Sequence, residues 1–229
     1  MVRCACRIQK LNSSPLIVLK DMDIIKLTRH SPQELLERLR QVPLLHQPEI
    51  RIYDDALITL EHLHTDSLAP TQNYVWLAEL KKVQELRWSL AEHSVDLFRL
   101  DGFVTYTVRG ADGVEERYDV YPPVVEESME ADGRVALLIN DGMHRLYLAR
   151  LEWVVPQVVY VRGVPKAYPY YAFPRLGGWE GIDLLPDNPD PKKYLKKCHR
   201  RRDNKRLYRD FQSVFANVGR SRSRLLTSS

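Results

Sequence analysis

The chain has 229 residues, 44% of them apolar and 28% charged, which suits one large domain or a smaller one with extensions and excludes two equal domains or global disorder. No run of 18 apolar residues occurs, and the N-terminus lacks an apolar leader ending in a small-residue cleavage site. These features argue against a membrane span and a secretory signal, and make the cytoplasm the expected compartment. The net charge of +4 is uneven, because residues 186–229 hold 13 Lys/Arg against 4 Asp/Glu and leave the remainder acidic.

Taken in chain order, the first dozen residues carry no period, and a short apolar stretch follows at Leu16–Leu19. Ser31-Pro32-Gln33-Glu34, followed by Leu35, Leu36 and Leu39, predicts a capped short helix. Residues 56–63 read as a strand. Trp76, Leu80, Val83, Leu86 and Leu90 then recur at steps of four, three, three and four, which predicts an amphipathic helix. Asp101-Gly102 separates two strand-like runs, the second alternating through Phe103–Val108, and a further turn follows at Gly110–Gly113. A strand at Tyr118–Tyr121 leads into Pro122-Pro123-Val124-Val125-Glu126. Ala131-Asp132-Gly133 turns the chain again.

Val135–Asn140 then reads as a strand, Met143–Leu151 as a helix and Gln157–Val161 as a strand. Six of the chain's 14 prolines fall between Pro165 and Pro191, predicting an irregular wrapping loop. Leu207, Phe211, Val214, Phe215 and Val218 have helical spacing and predict a C-terminal helix starting near Lys192. Cys4, Cys6 and Cys198 include no Cys-x-x-Cys pair and read as reduced thiols.

The strand-to-helix turn Asp141-Gly142-Met143-His144-Arg145 is the first place for chemistry. A helix start offers unpaired N–H groups and positive partial charge, and His144 and Arg145 add donors that an anionic phosphate would satisfy. Without a ligand, cations at a helix start oppose the macrodipole by a few tenths to about 1 kcal/mol. The plain alternative is a helix capped by Asp141, with Gly142 making the turn and His144 and Arg145 bonded at the surface.

The stretch Leu138-Ile139-Asn140-Asp141-Gly142-Met143-His144-Arg145-Leu146-Tyr147-Leu148-Ala149-Arg150, with the Val154–Tyr160 strand after it, resembles the signature region of the ParB/sulfiredoxin superfamily over residues 118–163. The resemblance implies an α+β domain with a mixed sheet and a turn that holds nucleotide phosphates. Sulfiredoxins place cysteine where this chain has Met143, and a thioether cannot act as the nucleophilic thiol. Partition proteins follow the domain with a helix-turn-helix, which is not visible after Gly163. Free serine kinases of the superfamily carry Asp-Gly-x-His-Arg, as here at positions 141–145. That likeness implies Asp141 as the base for a substrate hydroxyl, with Gly142, Met143, His144 and Arg145 holding ATP or CTP phosphates and Mg2+ between them. The kinases' additional catalytic glutamate has candidates by location only, Glu126 first and Glu127 beside it, for which a solvated turn is the bland alternative.

The basic stretch 192–209 could attract a nucleic-acid backbone, form a solvated helix face, or send Lys205 and Arg209 back to the pocket. His62 and His64 share a strand face but have no third ligand. Gly177-Gly178-Trp179 reads as a pocket loop or a turn with one anchoring aromatic, and Cys198-His199 would point apart on a helix. The expected organisation is an N-terminal extension over 1–44, a ParB/sulfiredoxin-like domain over 45–165, and a wrapping loop with a basic C-terminal helix over 166–229. The expected function is nucleotide binding with phosphate transfer to a small hydroxylated substrate; the rival is a nucleotide-dependent switch acting on nucleic acid.

Overall fold

The computed structural model describes residues 23–218 except 111, 187–193 and 201–203. Leu16–Leu19, Cys4, Cys6, the expected helix start at Lys192 and the Ser/Arg-rich end lie outside the described residues. In chain order, β1 (Ile24–His30) leads to α1 (Pro32–Arg40), the short β2 (Pro43–Leu44) and β3 (Gln47–Arg51), β4 (Leu57–His62), β5 (Leu68–Ala69) and β6 (Tyr74–Trp76). Next come α2 (Leu77–Glu92), β7 (Phe103–Arg109), β8 (Glu115–Val120), β9 (Val124–Met129), β10 (Val135–Asp141), α3 (Met143–Leu151), β11 (Gln157–Arg162) and β12 (Asp183–Leu185). The fold is α+β. No described helix is long and apolar enough to cross a membrane.

A five-stranded sheet has the order β4-β11-β9-β10-β5, with parallel pairs β11–β9 and β10–β5 and antiparallel pairs elsewhere. A second, antiparallel sheet runs β1-β7-β8. The alternation of a strand's side chains sets the layers. In β9, Val124 packs with Leu35, Leu39, Tyr53 and Phe211, whereas Val125 packs with Leu80, Met143 and Leu146 on the opposite face. Helix α2 bridges the sheets, since Leu80 joins the α3 cluster and Leu86 and Leu90 join Val104, Tyr106 and Val120.

Local signals account for several elements. Ser31 caps α1 by accepting the Glu34 N–H at 3.1 Å, and the β7–β8 turn closes through Gly113 N–H to Gly110 O. Gly102 is required by close approach: its φ is +108°, and a Cβ there would lie 2.1 Å from the His30 carbonyl oxygen. β1 and α1 precede residue 45 yet belong to the same layers, β1 pairing with β7 and α1 packing on β9 and β11.

Three expectations need correction. The run before Asp101-Gly102 is not a strand, because Val95, Leu97, Phe98 and Leu100 are buried one by one in two clusters. Glu126 is in no solvated turn; it lies within β9 at 1% exposure. No α-helix forms in the described part of 192–218: Leu207, Phe211 and Phe215 are buried, but through 3-10 turns at Asn204–Leu207 and Phe211–Ser213. Between those turns Arg209 bridges to Leu44 in extended, antiparallel fashion, and Leu207 and Phe211 serve different clusters. One straight helix cannot meet both demands.

Arg209 and Glu126 explain why this segment is held. Their side chains are 0% and 1% exposed, and Nη2 and Nε of Arg209 donate to the two carboxylate oxygens at 2.6 and 3.1 Å. Tyr53 and Asn140 also donate to Glu126. Breaking such a pair strands a buried charge, so Arg209→Met is expected to cost about 3–5 kcal/mol, and adding Glu126→Leu should recover more than half. Denaturant titration of the two variants decides this; a single variant within about 1 kcal/mol of the parent would show that the pair is no anchor.

Candidate functional site

The β10–α3 turn opens on a cleft of about 320 Å³ lined by α2, the exit of β8, the turn itself, Lys196 and the C-terminal Asn217 and Val218. Gly142 sits at φ +84°, where a Cβ would come within 2.7 Å of Pro123 Cβ, so glycine is needed for both conformation and space. No side chain caps α3, and its first backbone bond is Leu146 N–H to Gly142 O. Asp141 therefore does not cap the helix. The N–H groups ahead of Leu146 are left to the cleft that Gly142, Met143, His144 and Arg145 line.

The structure brings the expected turn residues together but gives them specific partners. His144 Nε2 accepts the Trp76 N–H at 3.3 Å, which leaves the ring proton on Nδ1. Burial, then the nearby Lys196 ammonium, lowers its pKa to about 4, so the imidazole is neutral. Arg145 donates to Asp141 at 3.1 Å and to the Tyr121 carbonyl, with its guanidinium 5.7 Å from the Tyr121 ring centre. The Asp141 side chain keeps 32% of its surface exposed. Met143 is 3% exposed and packs in the core beneath the cleft.

Glu126 is not brought to the cleft. It lies on the α1 side of β9, and Arg209, Tyr53 and Asn140 occupy its oxygens. Glu127 accepts from the Tyr160 hydroxyl at 2.6 Å, away from the cleft lining. Tyr121 is different: the residue lines the cleft, and its hydroxyl is buried near Asp141, whose charge adds to burial in raising its pKa, yet no hydrogen bond of normal geometry joins them. Gln72 Oε1, also in the lining, is buried without a hydrogen-bond partner.

Sequence reasoning missed Trp76, Glu79, Lys82, Asp119 and Lys196, all in the lining. Asp119 had a signal, an acid set between the aromatic and apolar residues Tyr118, Val120 and Tyr121. Lys196 had none that separated it from the rest of its basic run. That run is spent largely on the protein itself: Lys197 is buried against the Tyr170 and Tyr171 hydroxyls at 2.6 Å each, Arg200 pairs with Glu130 at 2.5 Å, and Arg209 pairs with Glu126. Lys192, Lys193, Arg201 and Arg202 lie outside the described residues, as does the Lys205 side chain. Trp179 anchors its turn by donating to Thr65 O at 2.7 Å and does not reach the cleft. Among the described residues no three His, Cys, Asp or Glu side chains cluster as a metal site, and His62 and His64 do not share a strand, because β4 ends at His62 and His64 caps the 3-10 turn that follows by accepting the Asp66 N–H.

Two consequences are measurable. Since the folded His144 refuses a proton that the unfolded chain accepts, its contribution to stability is complete above about pH 6.5 and is lost as pH falls through about 4, at most about 3 kcal/mol. Denaturant titrations at pH 7.5 and 4.5 should therefore differ less for His144→Asn than for the parent; an equal difference would contradict the neutral imidazole. Gly142→Ala should destabilise by about 1–3 kcal/mol through its left-handed backbone and the Pro123 contact, and a variant as stable as the parent would show that the turn relaxes freely.

No curated protein and no solved structure matches the chain. The family model of the ParB CE domain matches residues 34–183. That span runs from α1 to the start of β12, carries the whole β10–α3 turn and covers well over half of the sequence. The chain therefore belongs to the ParB CE domain family and is a ParB-like protein.

Proposed function

We propose that the cleft binds a nucleoside triphosphate, ATP or CTP, with its phosphates at the start of α3, and that the protein transfers phosphate to a small hydroxylated acceptor. The observation that carries this reading is the uncapped first turn of α3 opening on a cleft beside Arg145 and Lys196. Such a turn supplies N–H donors and positive potential without a side chain in the way. The apolar wall of Val83, Leu86 and Val218 suits the flat, uncharged part of a nucleotide. Magnesium would neutralise charge between the phosphates, and with no three-ligand cluster among the described residues it would arrive with the nucleotide.

In this reading Arg145 and Asp141 work as a latch. A phosphate at the turn competes with Asp141 for the guanidinium, and the freed carboxylate takes the proton of the acceptor hydroxyl as its oxygen bonds to the γ-phosphorus. The bond from that phosphorus to the bridging oxygen breaks, and the nucleoside diphosphate leaves with the electron pair. Neutral His144, bonded to the Trp76 backbone, positions α3 against α2 and offers Nδ1–H as a donor. Glu126 takes no part in the transfer.

Calorimetry with magnesium ATP and magnesium CTP, followed by an assay of diphosphate release with a pool of hydroxylated metabolites, tests the proposal. Asp141→Asn should keep nucleotide affinity within a few-fold and lower acceptor-dependent release by about 10²–10⁴. Turnover unchanged by Asp141→Asn would remove it as the base. Nucleotide-dependent, salt-sensitive retention of DNA without acceptor-dependent release would replace phosphate transfer by the switch, and no binding of any triphosphate would end the nucleotide reading.

A further inference from the structure

The charges lining the cleft leave one remainder. Glu79 and Lys82 pair at 2.9 Å, Asp141 and Arg145 at 3.1 Å, and buried Asp119 pairs with Arg38 at 3.4 Å. His144 is neutral. Lys196 makes no ion pair among the described residues, and its ammonium instead rests 5.8 Å from the Trp76 ring centre. Glu79 and Asp141 act on it only from beyond ion-pair distance. Although the residue is exposed overall, its ammonium end is sheltered enough for burial to lower its pKa.

Nor is Lys196 a loose surface lysine. Asn73 donates from its backbone to Lys196 O at 2.8 Å and from its side chain to Leu195 O at 2.7 Å. The Phe173 N–H donates to Cys198 O and the Arg200 N–H to Tyr171 O, while Lys197 is plugged between two tyrosine hydroxyls. The segment is a fixed strap that presents one cation to the cleft. Tyr121 also lines this space, and its buried hydroxyl makes no hydrogen bond of normal geometry.

We infer that Lys196 is an anion-binding residue of the cleft, contributed by the strap and contacting the ligand's terminal phosphate opposite the start of α3. The identity of the ligand as a nucleotide rests on the function proposed above; the anion site rests on the charge pairing and the strap. An ammonium with no protein carboxylate, beside unpaired helix N–H groups, is complementary to a phosphate carrying two or more negative charges. Arg145 and Lys82 are occupied by carboxylates of the protein, so among the described residues of the lining Lys196 is the cation that can bind without first breaking a pair.

Calorimetry on the full chain with two probes, inorganic pyrophosphate and magnesium ATP, tests this in the parent, Lys196→Gln and Lys196→Arg. Lys196→Gln should weaken binding of both probes by about 10- to 100-fold and flatten its dependence on salt. Lys196→Arg should restore most of the affinity, and the thermal midpoint of both variants should stay within about 2 °C of the parent, because the backbone bonds of the strap remain. Loss of pyrophosphate binding in Lys196→Gln supports the inference even if the parent ignores ATP, a result that would sink only the nucleotide reading. ATP and pyrophosphate binding unchanged by Lys196→Gln would overturn the inference while leaving the nucleotide reading intact. A parent that binds neither probe would overturn both.

Discussion

A carboxylate buried in the middle of a sheet loses several kcal/mol of hydration unless the protein replaces it. Glu126 recovers that loss from Arg209, 83 residues further along the chain, with Tyr53 and Asn140 filling the remaining geometry. Arg209 is satisfied in turn by the carbonyls of Tyr168, Pro169 and Leu207. The pair therefore ties three separated stretches of chain together: the strand β9, the loop after β11 and the C-terminal segment. It makes the C-terminal segment part of the core rather than an appendage, and Phe211 and Phe215 then close over the α1 cluster.

The same network reaches the cleft through one residue. Asn140 donates from its side chain to the Tyr53 hydroxyl at 2.6 Å and to Glu126 at 3.3 Å, while its carbonyl accepts from the Tyr170 hydroxyl. Tyr170 is the residue that Lys197 bonds. Asp141 is the next residue, and the left-handed Gly142 follows it. The end of β10 is thus pinned from both sides before the chain turns into α3. A turn whose N–H groups must meet a ligand gains from such pinning, because donors already in place need no reorganisation when the ligand arrives.

The parts of this fold legible in the sequence are those whose causes are local. Ser31, Pro32 and Glu34 mark the start of α1 within four residues, and the apolar run 135–140 followed by Asp141-Gly142 marks the strand-to-helix turn before any tertiary contact is known. The C-terminal segment misled for the opposite reason. The spacing of Leu207, Phe211, Val214 and Phe215 fits a helix, but two clusters and a bridge to Leu44 divide those residues, and tertiary demands of that kind override period. Glu126 and Glu127 read as equivalent from the sequence, as site candidates or as solvated turn residues, because the pattern shows no strand continuing through them. In a strand buried on both faces, adjacent acids point to opposite sides, and each here found its own partner.

The cleft shows the same division between local and distant causes. The turn residues 141–145 were visible as a pattern, yet their partners alter what each can do: Trp76 fixes the tautomer of His144, and Asp141 engages Arg145. Lys196 follows from the two tyrosines that receive its neighbour. The Lys197 amine is bonded to two hydroxyls, and burial, then the neighbouring Lys196 charge, pushes its pKa down to about 7, while the Lys196 ammonium faces the cleft. Burying the adjacent amine among tyrosines rather than carboxylates brings no acid to the strap there, and Lys196 feels Glu79 and Asp141 only from beyond ion-pair distance among the described residues. The sequence order Lys196-Lys197 thus becomes a division of labour, one side chain anchoring the strap and the other facing the start of α3.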